Sequence, residues 1–178
     1  MPRQAKALAP GPGTKLDLAR LVPALLTFIA NRMTNSGSAT YRRRFGIGIM
    51  EFRIMVMLDL ESGASGTRIA EVIGLDKGAV SRTLRALEHR GLVEISTGHG
   101  NVKASHMTPR GRALYDKARL ICIERENRLL KSFTAAEQET LRVLLRKMLA
   151  NTSHVAELAQ VKRATGAAGK RSVTPRRR

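Results

Sequence analysis

Hydrophobic positions along the chain recur at helical spacing almost throughout, with one short stretch of strand-like alternation between residues 92 and 107. From Lys15 to Met33 the apolar set is Leu18, Leu21, Val22, Leu25, Leu26, Ile29 and Met33. Pro23 sits inside that set, so the helix either starts there, with Pro in its first turn, or kinks. The polar stretch TNSGSAT (34–40) predicts a break before YRRRFGIGIM. EFRIMVMLDLE (51–61) reads as a mostly buried helix ended by SGASG. TRIAEVIG (67–74) reads as a short helix with Ile69, Ala70 and Ile73 inward and Gly74 just past its end. Asp76 is a good N-cap for a helix over 77–90, which Gly91 closes. LVEIS (92–96) and VKASHM (102–107) are strand-like, joined by TGHGN, whose glycines suit a hairpin turn.

Thr108-Pro109 announces a helix over 111–133, with Thr as N-cap and Pro at the first position. TAAE (134–137) is a capping box opening a last helix with Leu141, Leu144, Leu145, Met148 and Leu149 on one side. Helix, short helix, turn, helix and β-hairpin in that order make a winged helix-turn-helix. The predicted fold class is therefore mainly α (α+β). A basic N-terminal arm (1–14) precedes a helix within 15–38, the winged domain occupies 41–108, further helices occupy 109–158, and a basic tail covers 159–178. Both ends are too poor in apolar residues to predict order.

The helix over 77–90 carries the most chemistry. Val80, Leu84 and Leu87 form one apolar stripe, while Gly78, Arg82, Arg85 and His89 fall opposite it, with Ser81 at the edge. Its first turn is small (Gly78, Ala79, Ser81), which lets the backbone approach a groove wall, and Lys77 stands at its start. Arginine's planar fork offers paired donors to phosphates and guanine edges alike. Thr67 and Arg68, at the start of the short helix, are natural phosphate contacts because helix N-termini present free N–H groups. A solvated face that is basic by chance is the bland alternative, and the flanking short helix and hairpin argue against it.

Charge adds a partner class. The chain has a formal net charge of +18, which points to a polyanion, nucleic acid being the commonest for such chains. Counting charges by segment gives +3 for 1–15, +4 for 16–50, zero for 51–108, +5 for 109–150 and +6 for 151–178. The excess thus lies outside the helix singled out above, whose signal is where its charges point. A single cysteine, Cys122, excludes an internal disulfide framework. His89, His99, His106 and His154 show no ligand spacing, so no metal is expected, and no nucleotide loop or catalytic pairing predicts a cofactor or an enzyme. No apolar run reaches membrane-spanning length and the N-terminus lacks the apolar core of a secretory signal, so the expected place is the cytoplasm, in association with the nucleoid.

From about Leu16 to Leu149 the chain resembles the MarR family of bacterial transcription regulators. The signals are IAEVIGLDKGAVSRTLRALEHRGLVE and, after the hairpin, MTPRGRALYDKA. In them Ile69-Ala70, Asp76-Lys77, Val80-Ser81-Arg82, Leu87-Glu88, Gly91-Leu92-Val93 and Met107-Thr108 with Gly111 occupy the family's motif positions. The resemblance implies a homodimer, joined by helices from both chain ends, whose two winged domains read a palindromic operator on double-stranded DNA. It also implies, for many relatives, repression relieved by a small phenolic or aromatic acid. One departure matters: the family's wing usually carries Asp-x-Arg, whereas ISTGHGNVKASHM (95–107) has neither Asp nor Arg. His99, Asn101 and Lys103 are the candidates to replace it, and the basic tails could add contacts of their own.

The residues argue independently for association. The helices at 15–33, 111–133 and 135–158 carry Leu/Ile/Met stripes that one chain would leave partly exposed, and a second copy would cover them. An intramolecular bundle is the alternative. Leu114, Ala118, Ile121 and Leu129 share a face with Arg125, which reads as a paired interface residue or as an anchor for an effector carboxylate. Cys122 borders that stripe and reads as buried packing, and Met33, Met50, Met55 and Met57 read as adaptable core. The leading expectation is a sequence-specific repressor; the alternative is an architectural protein that binds DNA largely without specificity.

Overall fold

The structure is a computed structural model that describes residues 15–97, 103–153 and 155. Among the described residues six helices and one hairpin follow in the order α1 (Val22–Phe45), α2 (Ile49–Leu60), α3 (Gly66–Ile73), α4 (Lys77–His89), β1 (Val93–Thr97), β2 (Lys103–Met107), α5 (Pro109–Leu129) and α6 (Ala135–Ala150). The chain divides into two compact units, Met1–Ile123 and Glu124–Arg178. Among the described residues no helix is long and apolar enough to cross a membrane.

α1 corrects the expected break at TNSGSAT. Pro23 does open the helix, but the helix then continues to Phe45. The hydroxyls that make this stretch look like a breaker turn back onto the helix itself. Thr40 Oγ1 donates to the Ser36 carbonyl at 2.8 Å, and Ser36 Oγ donates to that of Met33 at 3.4 Å. Thr34 Oγ1 accepts from the Arg53 guanidinium at 3.0 Å, and Gly37 and Tyr41 are buried. Packing against α2 thus outweighs local propensity. The helix stops at Gly46, which takes a left-handed φ of 66° and returns its N–H to the Arg42 carbonyl.

The core of the first unit lies under α4. Tyr41, Ile47, Phe52, Ile54, Met55, Leu58 and Ile69 join Val80, Leu84, Leu87, Leu92 and Val93 in one cluster. Tyr41 and Phe52 stack at 4.4 Å between ring centroids, and Phe52 reaches Tyr115 of α5 at 6.1 Å. Met55 and Met57 are buried in this cluster, whereas Met33 and Met50 are only half-buried and stand outside it. The hairpin is antiparallel, from Val93 opposite Met107 to Thr97 opposite Lys103. Its root is fastened by Thr108, whose N–H donates to the Leu92 carbonyl at 3.2 Å and whose Oγ1 donates to that of Gly91 at 2.8 Å. Thr108 Oγ1 also accepts from the Gly111 N–H at 3.0 Å, starting α5.

α5 lies on the core through Tyr115 and Ala118, with Leu114 and Ile121 packed at its edge. Asp59 at the end of α2 holds it there, accepting from Arg112 and, at 2.8 Å, from the Tyr115 hydroxyl. Arg112 keeps the Asp59 carboxyl below its ordinary range, and burial, reinforced by Asp59, pushes the Tyr115 phenol up to about 12. Beyond Ile121 the helix has left this core, which corrects the reading of Cys122: it is exposed, as is Leu129. In the second unit α6 opens with the expected capping box, Thr134 and Glu137 exchanging hydrogen bonds at 2.8 and 3.3 Å.

Candidate nucleic-acid interface

The N-terminal end of α4 is set by Asp76, whose carboxylate accepts from the Ala79 N–H at 2.9 Å. Val80, Leu84 and Leu87 are buried, so the helix cannot roll without exposing all three. Its far end is braced by Arg90, which donates to Glu51 Oε1 at 2.9 Å while Glu51 Oε2 accepts the Gly48 N–H at 2.5 Å. Gly74 turns the chain between α3 and α4 with a left-handed φ of 67°. Pinned this way, α4 presents Lys77, Arg82, Arg85 and His89 to solvent, with Gly78, Ala79 and Ser81 half-buried along the same approach.

The details sharpen each role. A Cβ on Gly78 would lie 3.0 Å from Asp76 Oδ1 and 3.3 Å from an Arg82 guanidinium nitrogen, so the Arg82 side chain folds back over the first turn. Arg85 reaches Ser81 Oγ at 3.5 Å, which makes the pair one polar unit. Thr67 and Arg68 stand exposed at the start of α3, where Ser65 Oγ caps the Arg68 N–H at 3.1 Å. Arg68 also ion-pairs with Glu61 at 3.1 Å, so its charge is already partly compensated. Lys103 is exposed at the start of β2, whereas His99 and Asn101 lie outside the described residues. Arg125 is half-buried on α5, in the chain's second unit.

Two clefts flank the helix. One, of about 280 Å³, lies between α4, the start of α3 and the hairpin, and is lined by Ser81, Arg85, Glu88 and Lys103 among others. The second, of about 370 Å³, lies on the other side and brings Arg42 of α1 together with Arg82, Thr83 and Ala86 of α4. Sequence reasoning missed Arg42 and the Glu51–Arg90 brace. The run YRRRF was the only local signal for the former. Among the described residues no cluster of three His, Cys, Asp or Glu is placed to hold a metal.

The MarR family model matches residues 45–100, which contain α2 through β1. The HTH-type transcriptional repressor Rv2887 of Mycobacterium tuberculosis (strain ATCC 25618 / H37Rv) is 30% identical over 105 residues, covering 58% of this chain and 76% of that protein. The chain belongs to the MarR family. As such it is a DNA-binding transcriptional regulator and not an enzyme. The fold agrees. A MarR/EmrR family regulator from Acinetobacter sp. ADP1 superposes with a TM-score of 0.74 at 34% identity, covering 78% of this chain and 99% of that one. Rv2887 solved with salicylic acid gives 0.60 at 26% identity, covering 72% and 96%. The same mycobacterial protein solved with DNA gives 0.58 at 26% identity, covering 72% and 97%. α3, α4 and the β1–β2 hairpin follow in the order of a winged helix-turn-helix.

Proposed function

We propose that this MarR-family chain is a homodimeric repressor that reads a palindromic operator through α4 and lets go when a small aromatic acid binds. The observation that carries the reading is the pinning of α4, which buries Val80, Leu84 and Leu87 and turns Ser81, Arg82, Arg85 and His89 outward. Such a helix inserts its N-terminal half into the major groove, with Arg82 and Arg85 at base edges and phosphates. Thr67, Arg68 and Lys77 contribute backbone contacts, and Lys103, with His99 and Asn101, belongs to the wing. Dimerisation is supported by apolar side chains that each unit leaves open. Leu25, Leu26, Phe28 and Ile29 of α1 are 37–49% exposed, as are Leu144, Leu145 and Leu149 of α6 at 39–71%.

Release by an aromatic acid draws support from Rv2887, solved with salicylic and p-aminosalicylic acids. In this chain the cleft beside α4 offers Arg85 and Lys103 to a carboxylate, and about 280 Å³ suits a one-ring molecule at the small end of ligand pockets. A ligand there competes with DNA for Arg85. Arg125 is the alternative anchor, and Lys103→Ala and Arg125→Ala variants titrated with salicylate separate the two.

Footprinting on the upstream region of its own gene, with and without salicylate, tests the reading. A two-fold protected palindrome with half-sites about one DNA turn apart, lost on adding the acid, is the expected result. A second reading, non-specific architectural binding, is favoured by the charge excess outside 51–108. Less than roughly tenfold preference for the upstream region over random DNA would establish it instead.

A further inference from the structure

Among the described residues of the first unit, four arginines are each held by a carboxylate. Arg68 pairs with Glu61, Arg90 with Glu51, Arg112 with Asp59 and Arg119 with Asp116. Among the described residues no ion pair is formed by Arg82 or Arg85, nor by Arg42, Arg43 and Arg44 in the last turn of α1. All five are exposed. Two observations tie α1 to α4. Arg42 lines the same cleft as Arg82, Thr83 and Ala86, and a Cβ on Gly46, which ends α1, would lie 3.7 Å from an Arg90 guanidinium nitrogen. The end of α1 therefore sits against one flank of α4, while the start of α3, through Gly66, lines the cleft on the opposite flank.

A helix that enters the major groove has a sugar-phosphate strand on each side of it, and the elements on its flanks meet those strands. We infer that Arg42 is a DNA-phosphate contact, a second clamp outside the helix-turn-helix that grips the strand opposite to the one met by α3. This rests on the DNA-binding reading of α4 and extends it to a residue of the long first helix. Attraction of cations to the α1 C-terminus explains a basic last turn, but it does not require Arg42 to open onto the cleft that Arg82 shares. Arg42 carries no sequence information in this role. It fixes how deeply α4 sits, and it couples the end of α1 to the DNA.

The test is the salt dependence of binding by the full chain, read by fluorescence anisotropy on the upstream duplex and on a scrambled duplex of equal length. Variants are Arg42→Gln and, as a charge-matched control on the exposed upstream part of α1, Arg32→Gln. Losing one phosphate contact lowers the slope of log K against log salt by about 0.9. Arg42→Gln is expected to show that change and to weaken both duplexes equally, with Arg42→Lys restoring the slope and Arg32→Gln leaving it alone. An Arg42→Gln slope equal to wild type overturns the contact, and so does a loss confined to the upstream duplex, which would make the residue a reader or a brace of α4. Wild-type protein that binds neither duplex overturns the DNA reading itself, and this contact with it.

Discussion

Replacing Gly111 by alanine tests how the wing is rooted. A Cβ at this position would run into the Leu92 carbonyl oxygen, and would lie only 2.9 Å from the carbonyl carbon and 3.3 Å from Cα. The obstacle is backbone, so the first turn of α5 and the start of β1 must separate. Separation stretches the two bonds that Thr108 makes to Leu92 and Gly91, each contributing about 0.5–1.5 kcal/mol. Overpacking adds about 1–3 kcal/mol, and the better helix propensity of alanine returns about 0.5–1 kcal/mol. The net is a loss of about 1–5.5 kcal/mol, or a fall in Tm of about 2–22 °C for a chain of this size. Differential scanning calorimetry measures it. Gly74→Ala is the companion: no atom lies within 4 Å of its added methyl, so only the left-handed φ is strained, at about 1–2 kcal/mol. A Gly111→Ala midpoint within a degree of wild type, or a larger effect from Gly74→Ala, would refute the close approach.

Other consequences are directly measurable. The Asp59 carboxyl is held below its ordinary range by Arg112, so its stabilisation is complete above the unfolded value of about 3.9 and fades as pH falls through the folded one. Asp59→Asn should thus be less stable than wild type at neutral pH, with the gap closing in acid; urea unfolding that shows the same gap at both pH values contradicts this. Glu51→Gln keeps an acceptor for the Gly48 N–H but loses the charge that holds Arg90, costing about 1 kcal/mol in chemical denaturation, and Glu51→Ala costs more. A stability order with Gln below Ala would mean that Glu51 does not brace Arg90. Deleting 162–178, which contains seven Lys and Arg, should flatten the salt dependence of DNA binding, and an unchanged slope would mean the tail makes no phosphate contact.

The sequence was most legible where all the determinants are local. α4 was expected over 77–90 and runs from Lys77 to His89, because its cap, its stripe and its closing glycine all lie within sixteen consecutive residues, 76–91. The hairpin strands were placed to within one residue for the same reason. α1 was misread because its continuation depends on the burial of Tyr41 and on Arg53 reaching Thr34 across 19 residues, neither visible in a window. Cys122 was misread because periodicity says which face a residue shares, not where the partner surface ends. The braces were invisible altogether: Arg90 meets Glu51 across 39 residues and Arg112 meets Asp59 across 53. Recognising the cations of α4 needed only a helical wheel, whereas knowing which other cations remain unpaired required the fold.

Arg82 decides whether α4 reads DNA sequence. Binding of Arg82→Ala should be measured on the upstream duplex and on duplexes substituted one base pair at a time within a half-site. A loss of about 1–3 kcal/mol is expected on the upstream duplex, with discrimination relaxed at one position and retained at the others. An equal loss on every duplex, scrambled DNA included, would contradict it and leave Arg82 as a phosphate contact.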